Sequence, residues 1–276
     1  MLALALGFAL AAPDAPYPTV DVTMCDNPYC IGYRTGAQMQ QTIVERLDTS
    51  KGLAVLREFY ETDEGKAAVE AMALYNAERY PKQHSELAGL ADGSGAKYRD
   101  ILLINLRSEL SLYVRNTTWW QRRVARGAPS GALAAPALVE DCSDYVLRSA
   151  SGDCAITHNE DNEPATLNHS YWVTARVDDS PGGEAGGAAA TWTAFTYAGE
   201  MPTGAFAVSE RGYGFSTNAE FPRDIKIQGV ARTYLLRHLL DSSGADAALD
   251  ILVKAAANLS ACRRALLRAA CLGEVD

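Results

Sequence analysis

The feature that most constrains this chain is a change of hydrophobic period partway along it. In the first half, apolar residues recur at helical steps, as in Met39, Ile43 and Leu47 and again in Leu102, Leu106 and Leu110. Residues 37–115 therefore read as mostly helical, with these stripes as core faces and Asp100 placed to cap the later helix. From 142 to 221 the signals are those of strands. The run Tyr171 to Val177, the segment near Trp192 and the segment Ala205 to Val208 are rich in β-branched or aromatic residues. Ser180 to Gly187 reads as a loop, and helix returns at about 229–257. Helices, then strands, then helix predict an α+β domain. A chain of 276 residues is long enough for one large domain or two small ones with a real core.

The point of change carries chemistry. Residues 127–138, rich in Gly, Ala and Pro, read as a linker or a plain loop. Next come Glu140-Asp141-Cys142-Ser143-Asp144-Tyr145-Val146-Leu147, a turn containing Ser151-Gly152, and Cys154-Ala155-Ile156-Thr157-His158-Asn159-Glu160-Asp161. Two short apolar-rich runs around a turn predict a hairpin. Counting outward from the turn brings Cys142 beside Asp161, within a residue of register. A thiol next to a carboxylate at the open end of a hairpin can do chemistry, although a free Cys can also serve as a small buried hydrophobe. By alternation, Asn159 shares the face of Asp161 and lines the site, while His158 and Glu160 point away, and His158 is given no catalytic role. Arg176 and Arg211 read as surface residues.

Further segments carry a resemblance. They are Gly32-Tyr33-Arg34-Thr35-Gly36, Ser85 to Ala91, Leu106 to Leu110, Tyr197-Ala198-Gly199-Glu200-Met201-Pro202-Thr203-Gly204-Ala205-Phe206, and Gly212 to Ala219 with Ser216-Thr217-Asn218. With the Cys142 hairpin, and in this order, they resemble the family of penicillin-biosynthesis acyltransferases and insect β-alanyl-amine hydrolases over roughly residues 25–255. These are N-terminal-nucleophile hydrolases, made as one precursor that cuts itself before a Cys. The resemblance implies a four-layer αββα sandwich and cleavage between Asp141 and Cys142. It also implies Cys142 as nucleophile, Asp161 as the carboxylate that holds the new amine and thiol, and Asn218 as oxyanion donor. Tyr197 and Gly199 would line the site.

Such a mechanism needs no histidine base. A freed α-amine titrates at about 7.7–8.0 in the unperturbed state and can take the thiol proton near neutral pH. No cofactor and no metal are implied, and no Cys or His spacing here makes a zinc motif. The substrate would be a small N-acyl or aminoacyl amine. Hydrolysis and acyl transfer share one acyl-enzyme, so both stay open. Two departures stand out. Asp141 occupies a position that is commonly Gly in the family, and the stretch Ala261 to Leu272 resembles nothing in it. The chain therefore reads as a truncated or frame-shifted product whose last strands are missing. A catalytically silent binding protein is the rival of another class, and a thiol–imidazole protease is a second.

The remaining features bound partners and compartment. A net charge of -9 without a basic block argues against nucleic acid and anionic membrane surfaces. Residues 1–12 read as a short apolar leader ending in Ala9-Leu10-Ala11, too short to span a bilayer and lacking a basic start; a core segment is the other reading. Sequons begin at Asn116, Asn168 and Asn258, and Cys25 and Cys30 are spaced for a small disulfide loop in an oxidising compartment. The expected division is a leader over 1–12, a mostly helical part over 13–141 and the catalytic core over 142–276, the two parts forming an α/β heterodimer after cleavage. The expected location is secreted or endomembrane lumen, with cytoplasm or peroxisome as the alternative.

Overall fold

The computed structural model describes residues 17–127, 142–150, 154–177, 189–202, 205–218 and 225–256. The leader, Asp141, most of the linker, the Ser180 loop and the chain beyond 256 lie outside the described residues.

Among the described residues, eight helices fill the first half: α1 (Pro28–Gln38), α2 (Gln40–Thr49), α3 (Lys51–Tyr60), α4 (Asp63–Arg79), α5 (Pro81–Ser94), α6 (Tyr98–Asn105), α7 (Arg107–Arg115) and α8 (Thr118–Ala125). Short polar residues and prolines set the breaks. Asn27, Ser50, Thr62 and Thr117 each accept a hydrogen bond from a main-chain N–H of the helix that follows. Pro28 and Pro81 sit in first turns, where no N–H is missed. Asp100 is not a cap. It lies in the first turn of α6, buried, and its carboxylate accepts from Arg57 at 3.0 Å. Lys97 holds the N-cap position, so Asp100 falls inside the helix.

α1 and α5 cross with almost no space between them. A Cβ on Gly32 would stand 1.9 Å from the Glu86 carbonyl oxygen, and one on Gly36 2.6 Å from that of Leu90. The reverse holds too: Gly89 would meet Tyr29 at 2.2 Å and Gly93 would meet Tyr33 at 2.0 Å. Glycines four apart on both helices thus let two backbones touch.

The described strands form two sheets. β1 (Thr19–Asp21), β4 (Ser170–Val177), β5 (Ala190–Tyr197), β6 (Phe206–Ser209) and β7 (Tyr213–Ser216) lie side by side in the order β1-β4-β5-β6-β7. β1 runs parallel to β4 and the rest are antiparallel. β2 (Ser143–Arg148) and β3 (Cys154–Asn159) make the separate, predicted hairpin. Alternation gives the larger sheet two apolar faces. Tyr171, Val173, Ala175, Trp192, Ala194 and Ala207 pack with the helices, including Ile43, Leu47, Leu53 and Leu103. Trp172, Phe195, Tyr197 and Phe206 cluster on the opposite face, where the His158 ring of β3 lies 5.8 Å from that of Phe206. Mixed helix and sheet is what an α+β reading requires.

The single returning helix is corrected to two, α9 (Arg232–Leu239) and α10 (Ala245–Ala256), separated by a turn containing Gly244. The break is anchored: Ser242 Oγ donates to the Leu239 carbonyl and to the Tyr213 hydroxyl. The Cys25–Cys30 disulfide is formed. No helix among the described residues is long and apolar enough to cross a membrane.

Candidate active site

Cys142 stands at the mouth of the β2–β3 hairpin. The register pairs Ser143 with Asn159 and Asp144 with His158, so one further step sets Cys142 opposite Glu160. Its thiol donates to Glu160 Oε2 at 3.2 Å. The same oxygen lies 2.6 Å from His158 Nε2, and the other ring nitrogen, Nδ1, lies 2.6 Å from Asp144 Oδ1. Asn162 donates to Glu160 Oε1 at 3.3 Å. A chain of contacts thus runs Cys142–Glu160–His158–Asp144 across the hairpin.

Cross-strand partners share a face. The thiol face is therefore that of Asp144, His158 and Glu160, and the expectation that His158 and Glu160 point away from it is corrected. The cause is a register difference of one residue, which transfers side chains to the opposite face of a two-stranded sheet. Asp161 follows directly after Glu160 and is exposed, as is Asn159. The His158 side chain is almost fully enclosed. Burial alone would lower its pKa, but hydrogen bonds and charge from Glu160 and Asp144 outweigh this and hold it above the ordinary value.

Cys142, His158 and Glu160 offer donor atoms within 4.8 Å of one another. Sequence spacing gave no sign of this grouping. A shared ion is nonetheless a poor description of it. Two ligands at tetrahedral zinc distances stand about 3.3 Å apart, whereas His158 Nε2 and Glu160 Oε2 are at 2.6 Å, a hydrogen-bond spacing.

Asn218 follows the β6–β7 hairpin, just past the end of β7. Ser216 is the partner of Phe206 and shares its face. Main-chain pairing continues one step further, with Thr217 N–H donating to the Ala205 carbonyl at 2.8 Å. Ser216 Oγ, Thr217 Oγ1 and Asn218 Oδ1 are buried and find no hydrogen-bond partner among the described residues. Three successive orphaned oxygens are unusual, since each costs about 1–3 kcal/mol when left dry. By alternation Thr217 faces away from Ser216, so the three oxygens do not line one site.

Tyr197 and Gly199 are buried in the interior. Gly199 has φ 88°, a conformation that suits glycine. Its carbonyl accepts from Asn105 Nδ2 at 2.9 Å, while Asn105 Oδ1 accepts from Met201 N–H at 2.8 Å. Next to this turn, Glu200 is fully enclosed. Arg46 donates to it at 2.5 Å and Arg107 at 3.1 Å, and Arg46 also donates to the Ala198 carbonyl. Burial pushes the Glu200 carboxyl up, but Arg107 and Arg46 outweigh it and keep the pKa below the usual value. This ion network has no sequence motif of its own, because its members lie up to 154 residues apart.

The hairpin that carries the Cys142 thiol lies against one face of a sheet whose other face is backed by helices. Residues 148–269 match the family described as acyl-coenzyme A:6-aminopenicillanic acid acyl-transferase. The chain is also 25% identical over 227 residues to the beta-alanyl-dopamine/carcinine hydrolase of Drosophila melanogaster, covering 81% of this chain. The chain spans about half the length of that relative, 54%. Both findings support the acyltransferase family for this chain, as the motifs implied.

Proposed function

We propose that the chain is a self-processing N-terminal-cysteine enzyme that transfers acyl groups from small N-acyl or aminoacyl amines to water or to another amine. The observation that carries this reading is the Cys142 thiol, held by a carboxylate at the open end of the hairpin, in a chain similar to a hydrolase of β-alanyl amines. The αββα layering implied by the family is part of the proposal. Helices against one face of the five-stranded sheet and the hairpin against the other support it.

The chemistry follows from the named groups. Cleavage between Asp141 and Cys142 frees an α-amine, which takes the thiol proton. The thiolate attacks the substrate carbonyl, the amine product leaves, and a thioester to Cys142 remains until water or a second amine resolves it. Asp161 would hold the new amine. That amine is a main-chain group, so its carboxylate need not share the thiol's face of the hairpin. Asn218 would donate its amide N–H to the oxyanion. Asn159, Tyr197 and Gly199 would shape the surroundings. The products of cleavage would stay together as an α/β heterodimer, because the helices and strands share one core.

Intact mass and N-terminal sequencing of the purified protein test processing; a fragment beginning at Cys142 is expected. Incubation with a β-alanyl amine, followed by assay of freed β-alanine, tests turnover. An uncut chain that releases nothing supports the silent binding protein instead. Acetylating the new N-terminus without touching the thiol should abolish activity; full activity after that treatment would point to a thiol–imidazole mechanism.

A further inference from the structure

The α-amine can serve as base only after it exists. In the uncut chain the nitrogen of Cys142 is an amide with no basic lone pair, so the first reaction of the thiol, on its own peptide bond, needs another proton acceptor. We infer that Glu160 is that acceptor, the catalytic base of self-cleavage, oriented by His158 and Asp144. This rests on the self-processing reading above.

Three observations carry it. Glu160 Oε2 already accepts the thiol hydrogen bond at 3.2 Å, within reach for direct transfer. The carboxylate is fixed from both sides, by His158 Nε2 on Oε2 at 2.6 Å and Asn162 Nδ2 on Oε1 at 3.3 Å. Asp144 in turn fixes the imidazole at 2.6 Å through its other nitrogen. The order is nucleophile, base, orienting group, with the final carboxylate buried beside the ring. Glu160, His158 and Asp144 have no part in the turnover chemistry proposed above.

The step balances. The thiol proton passes to Glu160 Oε2, and Cys142 Sγ attacks the carbonyl carbon of Asp141. The C–N bond breaks and Glu160 returns the proton to the leaving nitrogen, now the α-amine. The thioester between Asp141 and Cys142 is hydrolysed by one water, leaving a carboxylate on Asp141 and a free thiol. From then on the amine stands as base and Glu160 has done its work.

Cell-free synthesis of the labelled full chain, with cleavage followed on a gel over time, tests this. Glu160→Gln should slow cleavage by about a hundredfold or more, the range a lost general base costs. Glu160→Ala should be equally slow and should recover in proportion to added formate, which a merely structural loss would not do. Cleavage of Glu160→Gln at the wild-type rate, or a slow Glu160→Ala that ignores formate, would overturn the inference. The self-processing reading fails on a different result, namely a wild-type chain that stays intact or a Cys142→Ala chain that still splits before residue 142.

Discussion

The Cys142 thiol donates its hydrogen bond to Glu160, and Asp161 is the next residue along. Two neighbouring carboxylates at one hairpin mouth thus face opposite sides, one toward the thiol and one toward solvent. This divides the proposed labour: Glu160 reaches the sulfur, and Asp161 is left for the main-chain amine. Asp161→Asn should then allow cleavage but slow turnover, because the amide loses the charge that positions the amine. Unchanged turnover in a fully processed Asp161→Asn protein would remove that role.

Asn218→Ala should lower kcat about a hundredfold with little change in KM, since an oxyanion donor acts on the transition state. Steady-state kinetics on processed protein checks it. A change confined to KM would make Asn218 a contact to bound substrate.

His158 gives the hairpin a pH dependence of known sign. Its folded pKa is raised, by Glu160 and Asp144 against the effect of burial. The stability it contributes is therefore fully present below the unfolded value near 6.5 and is lost as pH rises through the higher folded value. Urea unfolding of Cys142→Ala should show this loss, and His158→Asn in the same background should flatten it. Identical pH profiles for the two proteins would rule it out.

Removing Glu200 should be severe. Glu200→Ala leaves Arg46 and Arg107 buried without their shared carboxylate, a change that costs about 3–5 kcal/mol. A drop in unfolding free energy of that size is expected by chemical denaturation. A loss below about 1 kcal/mol would show that the charges are otherwise balanced.

Gly32→Ala tests the helix crossing. The added methyl would sit 1.9 Å from the Glu86 carbonyl oxygen, which belongs to a helix backbone and has no side-chain freedom to yield. Overpacking of this kind costs about 1–3 kcal/mol, and more when backbone must move. Gly52→Ala, whose nearest contact is a carboxylate oxygen at 3.5 Å, is the matched control and should be nearly neutral.

Local pattern determined a good deal. Helical spacing placed the first half in helices, and β-branched and aromatic runs placed β4, β5 and β6 close to their observed ranges. The Cys142 hairpin and the Cys25–Cys30 pair follow from spacing alone. Only the tertiary structure decided what met what. Gly32 and Gly36 proved to be one side of a contact whose other side is Gly89 and Gly93. Arg107 and Glu200, on two separate motifs, proved to be one ion pair. Within the hairpin itself, the choice between Glu160 and Asp161 as thiol partner turned on a single step of register. Periodicity reports which residues share a face of one element, because backbone geometry repeats. It does not report which faces meet, since that follows from packing between segments far apart in the chain, and a one-residue slip is enough to exchange them.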